Sequence, residues 1–110
     1  MKIDRKLLYQ LAYRVRKRVL AGKESNGFCQ KASLAMVKAL KNMGGKANII
    51  YGDFFTDQKG MFGHCWVHYG KFIVDLTADQ FNKYMCSLMP KIVIIEHPNS
   101  MYVRGKVIRF

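Results

Sequence analysis

The chain has 110 residues, half of them hydrophobic and many aromatic (seven Phe, six Tyr, one Trp), which supports one folded domain over residues 1–110 and excludes a disordered chain. Three cysteines without C-x-x-C spacing argue against a disulfide framework and fit a reducing cytoplasm; no run approaches the ~18 apolar residues of a membrane helix, and the short stretch Leu7–Ala12, followed by Arg14, Arg16, Lys17 and Arg18, does not read as a signal peptide. The formal net charge of +12 is uneven: residues 1–46 hold 12 Lys/Arg against Asp4 and Glu24 (+10), residues 47–90 three Lys against four Asp (−1), and residues 91–110 four basic residues against Glu96 (+3).

Asp4 is placed to cap a first helix from about Arg5 to Ala21, with Leu8, Leu11, Ala12, Val15 and Val19 on one face. Lys6, Arg14 and Lys17 project from the other side; read from the sequence, this is a solvated basic face without interleaved aromatics. Residues 22–27 form a turn-rich break in which either Ser25 or Asn26 caps a second helix, from about Phe28 to Met43, stopped by Gly44-Gly45. Cys29 falls in its first turn, at the head of the apolar stripe Ala32, Ser33, Met36, Leu40 and Met43, with Lys31, Lys38 and Lys41 opposite. Unpaired N–H groups there favour a thiolate, whereas a cysteine at the head of an apolar stripe also reads as a small buried hydrophobe.

Beyond Gly45 the period becomes extended. Ala47 to Tyr51 reads as a strand, Asp53 to Gly60 as a loop with Phe54-Phe55 anchored, and Gly63 to Tyr69 and Lys71 to Leu76 as a hairpin turning at Gly70. His64, Trp66 and His68 then share one strand face, and Ile73 and Asp75 one face of the next. Such a hairpin sets residue 64 opposite about residue 76, so that a small shift or bulge brings His64 beside Asp75, about 5 Å apart at Cβ. A short helix or turn at 77–81, a strand at Lys91–Glu96 and one or two extended pieces in Met101–Phe110 complete the reading.

A thiol at a helix start, a histidine on a strand and an acid on the next are the parts of a Cys-His-Asp nucleophile: the helix end favours thiolate, the imidazole moves the proton, and the carboxylate fixes its tautomer. At Gly27-Phe28-Cys29, His64-Cys65-Trp66-Val67 and Asp75-Leu76-Thr77 the chain resembles the transglutaminase-like branch of the papain-like cysteine enzymes, over residues 26 to about 81. The resemblance implies an α+β fold, N-terminal helices with the Cys-bearing helix packed on an antiparallel sheet, and thiol chemistry on a protein or peptide amide. Cys29 would be the nucleophile, His64 the general base and then acid, and Asp75 the group that orients His64. The chain departs from the family at Cys65, where a small residue such as Ala is commoner. The oxyanion would meet the Cys29 N–H and a second donor, for which Asn26 and Gln30 are candidates. Trp66 reads as core or pocket wall, and otherwise as a substrate contact.

His68 lies about 13 Å along the strand from His64, too far to share a metal ion; His97, before Pro98, reads as a loop residue, Cys86 has no ligand-like neighbour, and neither zinc nor any cofactor is implied. Two functional classes follow. One is a small cysteine hydrolase or acyltransferase of peptidase, deamidase or transglutaminase type. The other is a non-enzymatic basic protein on a degenerate version of the same scaffold, docking on nucleic acid or an acidic protein. For the charge alone, either weak polyanion binding through Lys6, Arg14 and Lys17 or simple solubility is expected.

Overall fold

The computed structural model describes residues 3–109. Two helices, α1 (Arg5–Leu20) and α2 (Cys29–Asn42), precede a five-stranded antiparallel sheet of β1 (Ala47–Thr56), β2 (Gly60–Tyr69), β3 (Phe72–Asp75), β4 (Val93–Glu96) and β5 (Tyr102–Ile108), ordered β4-β3-β2-β1-β5. The fold is therefore α+β with both helices packed on the sheet. A 3₁₀ segment, Ala78–Tyr84, follows β3. Among the described residues no helix is long and apolar enough to cross a membrane.

Asp4 caps α1 as expected, its carboxylate accepting the Leu7 N–H at 2.8 Å. The cap expected of Ser25 or Asn26 on α2 is not made: Phe28 is the N-cap residue and no side chain bonds the first turn. Ser25 is buried, and its hydroxyl is engaged instead as a donor to Asp79 Oδ1 at 2.8 Å. Gly44, at φ +81, ends α2, with the Gly44 N–H bonded to Lys41 O and the Gly45 N–H to Leu40 O.

The loop expected over 53–60 is strand instead. Phe54 and Thr56 continue the inward alternation of β1, so the hairpin turns only at 57–59, where Thr56 Oγ1 donates to Gly60 O at 2.7 Å and accepts from Lys59 N–H at 3.2 Å. The last strand covers Tyr102–Ile108 of the expected 101–110 stretch; Phe110 lies outside the described residues.

The sheet is covered on both faces. Leu8, Ala12, Val15, Met36 and Leu40 of the helices pack on Ile49, Cys65, Val67 and Val74. On the other face Ile50, Phe54, Trp66 and Ile73 meet Phe81, Val93 and Tyr102. Trp66, 1% exposed, is the largest side chain of this second core. Its ring fits because the sheet thins beneath it: a Cβ on Gly52 would lie 2.6 Å from the indole and 2.8 Å from Gly105 Cα. There β5 carries an extra residue, the register slipping between Tyr51 and Asp53 with Arg104 at φ +53.

Trp66→Ala should cost about 3–5 kcal/mol, the usual penalty for emptying a large aromatic site. Cys29→Ser, at a half-buried helix start, should cost less than about 1 kcal/mol. Urea melts of the two variants check this ordering, and the reverse order would make Cys29 a packing residue.

Candidate active site

The chain enters α2 through Gly27 at φ +80 and a bond from Phe28 N–H to Ser25 O, which makes Cys29 the first helical residue. With no side-chain cap, the first-turn amides keep their affinity for negative charge, and the thiol sits beside them. Cys29 packs at the margin of the helix-side core.

His64 comes from the opposite sheet face. Its ring stands edge-on to Phe54 and Phe81, at centroid distances of 5.6 and 5.0 Å. The β2–β3 pairs are Val67↔Val74, His68↔Ile73 and Tyr69↔Phe72. Continued, that register sets Asp75 opposite Trp66 rather than one residue from His64. The two meet diagonally instead: His64 Nε2–H donates to Asp75 Oδ2 at 2.7 Å. Because β3 stops at Asp75, the edge of β2 beyond Val67 is left open. There the Cys29 thiol lies close enough to Cys65 and to the His64 ring to be acidified by both. Cys29, His64 and Asp75 thus straddle a sheet edge, the thiol on the helix side and the acid on the other.

His64 and Asp75 are each 1% exposed, so their polar atoms need partners. Asp75 accepts three hydrogen bonds: from His64, from Tyr102 Oη–H at 2.8 Å to Oδ2, and from the Thr77 N–H at 2.9 Å to Oδ1. The Cys65 thiol, as donor, lowers the Cys29 pKa most strongly; burial opposes it, and the His64 hydrogen bond and charge carry it down to about 4. Burial works against a charged His64, but the charge and hydrogen bond of Asp75, helped by Cys29, raise it to about 9. The two shifts together favour the thiolate–imidazolium form of the pair. Cys65 is pushed well up by its bond to Cys29 and by burial, and so remains a thiol donor.

The residues expected around this group fall in different places. Asn26 is exposed on the rim of a cleft of about 360 Å³ shared with Ser25, Asp79, Gln80 and Lys83. Gln30 is exposed on the outer side of the first turn and does not line that cleft. Trp66 belongs to the second core, with its ring 5.1 Å from Tyr102 and 6.2 Å from His64. His68 contacts His97 (4.8 Å) rather than His64, and Cys86 is exposed beside Gln58. Among the described residues no three His, Cys, Asp or Glu side chains gather as metal ligands.

Sequence reasoning passed over Gln80 and Tyr102. Gln80 is anchored by donating to Thr77 O at 3.0 Å, and its amide nitrogen lies 3.5 Å from His64 Nδ1, so it joins the cleft to the imidazole. Its only sequence signal is its place in the turn after Asp75. Tyr102 has none, since 27 residues separate it from Asp75. Arg16, counted only as charge, is a structural clamp: its two terminal nitrogens bind both Asp79 oxygens at 2.8 and 2.9 Å, and Nη1 also donates to Leu76 O. This fixes the 76–80 turn that carries Thr77 and Gln80. No protein-family model, curated protein or solved structure matches the chain.

Iodoacetamide should alkylate Cys29 at a rate nearly constant from about pH 5 to 8 and falling as pH drops through about 4, since only the thiolate reacts. His64→Ala and Cys65→Ala should each move this acid limb upward. A limb moved above pH 7 cuts the thiolate fraction at pH 6 about tenfold or more. Mass-spectrometric labelling rates across pH measure the shift; an unmoved limb in both variants would deny the activation.

Proposed function

We propose that the chain is a cysteine-dependent hydrolase or acyltransferase acting on a protein or peptide amide, in the manner of the papain-like and transglutaminase-like enzymes it resembles. One observation carries the reading: a buried imidazole held at 2.7 Å by a buried carboxylate, beside a half-buried thiol at a helix start that the same imidazole acidifies. A packing cysteine needs none of these partners.

The chemistry follows from the protonation states. The Cys29 thiolate attacks the amide carbonyl, and the carbon–sulfur bond forms as the carbonyl electrons move to oxygen. That oxyanion meets the Cys29 N–H at the uncapped helix start, with the Gln80 amide, at the cleft edge, as second donor. His64 gives its Nδ1 proton to the leaving nitrogen, and the carbon–nitrogen bond breaks to leave a thioester. His64, now neutral, takes a proton from water or from an amine, which displaces the sulfur. Throughout, Asp75 keeps Nε2–H directed at itself and leaves Nδ1 as the nitrogen that exchanges the proton. The thiolate requires a reducing compartment, which favours the cytoplasm.

The test is capture of the thioester. Incubation with activated acyl donors and glutamine-containing peptides, followed by acid quench and mass spectrometry, should find acylation confined to Cys29. Cys29→Ala should abolish turnover, and Asp75→Asn should lower kcat by roughly 10²–10⁴, the usual size of a general acid–base contribution. If no acyl adduct forms on Cys29 with any donor while iodoacetamide still reacts, the enzyme reading fails.

A further inference from the structure

The exposed face of α1 differs from the sequence-based description of it. At 3.6 residues per turn, Lys6, Gln10 and Arg14 form one row and Tyr9, Tyr13 and Lys17 the row beside it. Tyr9 and Tyr13 are 49% and 50% exposed, so the basic face does carry interleaved aromatics. Between them lies a depression of about 380 Å³ lined by Tyr9, Gln10, Tyr13 and Arg14. Tyr13 also borders a second hollow, of about 230 Å³, with Lys17, Lys23 and Lys91 among its walls. Two tyrosine rings are thus continuous with a pocket edged by three lysines.

Charge on this surface is predominantly positive, with the exposed Glu24 beside Lys23 at its edge. No acidic residue occurs in α1, although a helix made only for solubility gains from acid–base pairs at four-residue spacing. Asp4 is spent on the helix cap and Asp79 on Arg16, so neither offsets the lysines. The aliphatic residues of α1 face the core: Leu8, Ala12 and Val15 are buried, and Leu7, Leu11 and Val19 pack against the same cluster. Such a face has charge for phosphates and flat rings for bases, but no aliphatic ridge to enter a bilayer. Stacking on a tyrosine requires an unpaired base, which selects a single strand over a duplex.

We infer that the outer face of α1, with Lys23 and Lys91, binds single-stranded nucleic acid: Tyr9 and Tyr13 stack bases, and Lys6, Arg14, Lys17, Lys23 and Lys91 hold the backbone. This surface is independent of the amide chemistry proposed for Cys29. Binding is sequence-tolerant, because every base offers a π face and no base-edge reader accompanies the rings.

The experiment is fluorescence anisotropy of the full chain with labelled U20 and dT20, a 20-base-pair duplex, and vesicles containing phosphatidylserine. The single strands should bind in the range of about 1–100 μM at physiological salt, with log K falling against log salt at a slope between about −2 and −4 for five cations. Tyr9→Ala and Tyr13→Ala should each weaken single-strand binding at least about fivefold, and leave duplex binding unchanged. Tyr→Phe at either position should restore it. Both tyrosines are half exposed, and thermal melts would verify that the variants remain folded. Equal affinity for duplex and single strand, unaffected by the tyrosine variants, would overturn the inference in favour of charge alone. Tyrosine-dependent binding to vesicles without oligonucleotide binding would overturn it in favour of a membrane surface. Cys29→Ser should leave oligonucleotide binding intact, so loss of amide chemistry and loss of this surface are read separately.

Discussion

An imidazole buried against a carboxylate costs several kcal/mol of lost hydration unless every polar atom finds a partner, and the His64–Asp75 pair governs how the rest of this fold is built. Three elements supply the partners. β2 brings the ring, the turn after β3 brings the Thr77 amide, and β5 brings the Tyr102 hydroxyl. The aromatic core of Phe54, Phe81, Trp66 and Tyr102 excludes water around them. Removing one donor would leave a buried charge short of a bond rather than merely loosen a contact.

The brevity of β3 is as important as its position. Four residues suffice to present Asp75, and stopping there leaves the β2 edge free for the start of α2. Where a longer β3 would pair further along β2, Cys65 lies beside the Cys29 thiol instead. The helix supplies its own free amides from the other side. A thiolate at Cys29 would thus lie between a sheet ladder that stops short and an uncapped helix, two places where the backbone has donors to spare.

Much of this was legible in the chain. The helices follow from their 3.6-residue stripes and from Asp4 and Gly44, and the juxtaposition of His64 with Asp75 follows from a hairpin turning at Gly70. What escaped has physical causes. The span 53–56 carries a polar residue at Asp53, yet its burial continues the strand alternation, which only the partner strand makes evident. The diagonal His64–Asp75 contact depends on a register one residue from the simplest reading. Ser25 left its helix for Asp79, a choice set by Arg16 from another element. Tyr102 is separated from its acceptor by 27 residues, a distance across which local pattern carries no information.

The bond from Tyr102 to Asp75 also bears on time. A chain emerging from the ribosome presents Cys29, His64 and Asp75 well before residue 102, at about 5–20 residues per second. Until β5 pairs with β1, the acid lacks one of its three donors and the aromatic wall lacks a ring. The full set of hydrogen bonds on Asp75 therefore exists only once β5 is in place. On the proposed reading, a nascent or partly unfolded copy would carry a cysteine of ordinary reactivity, and only the finished protein an activated one.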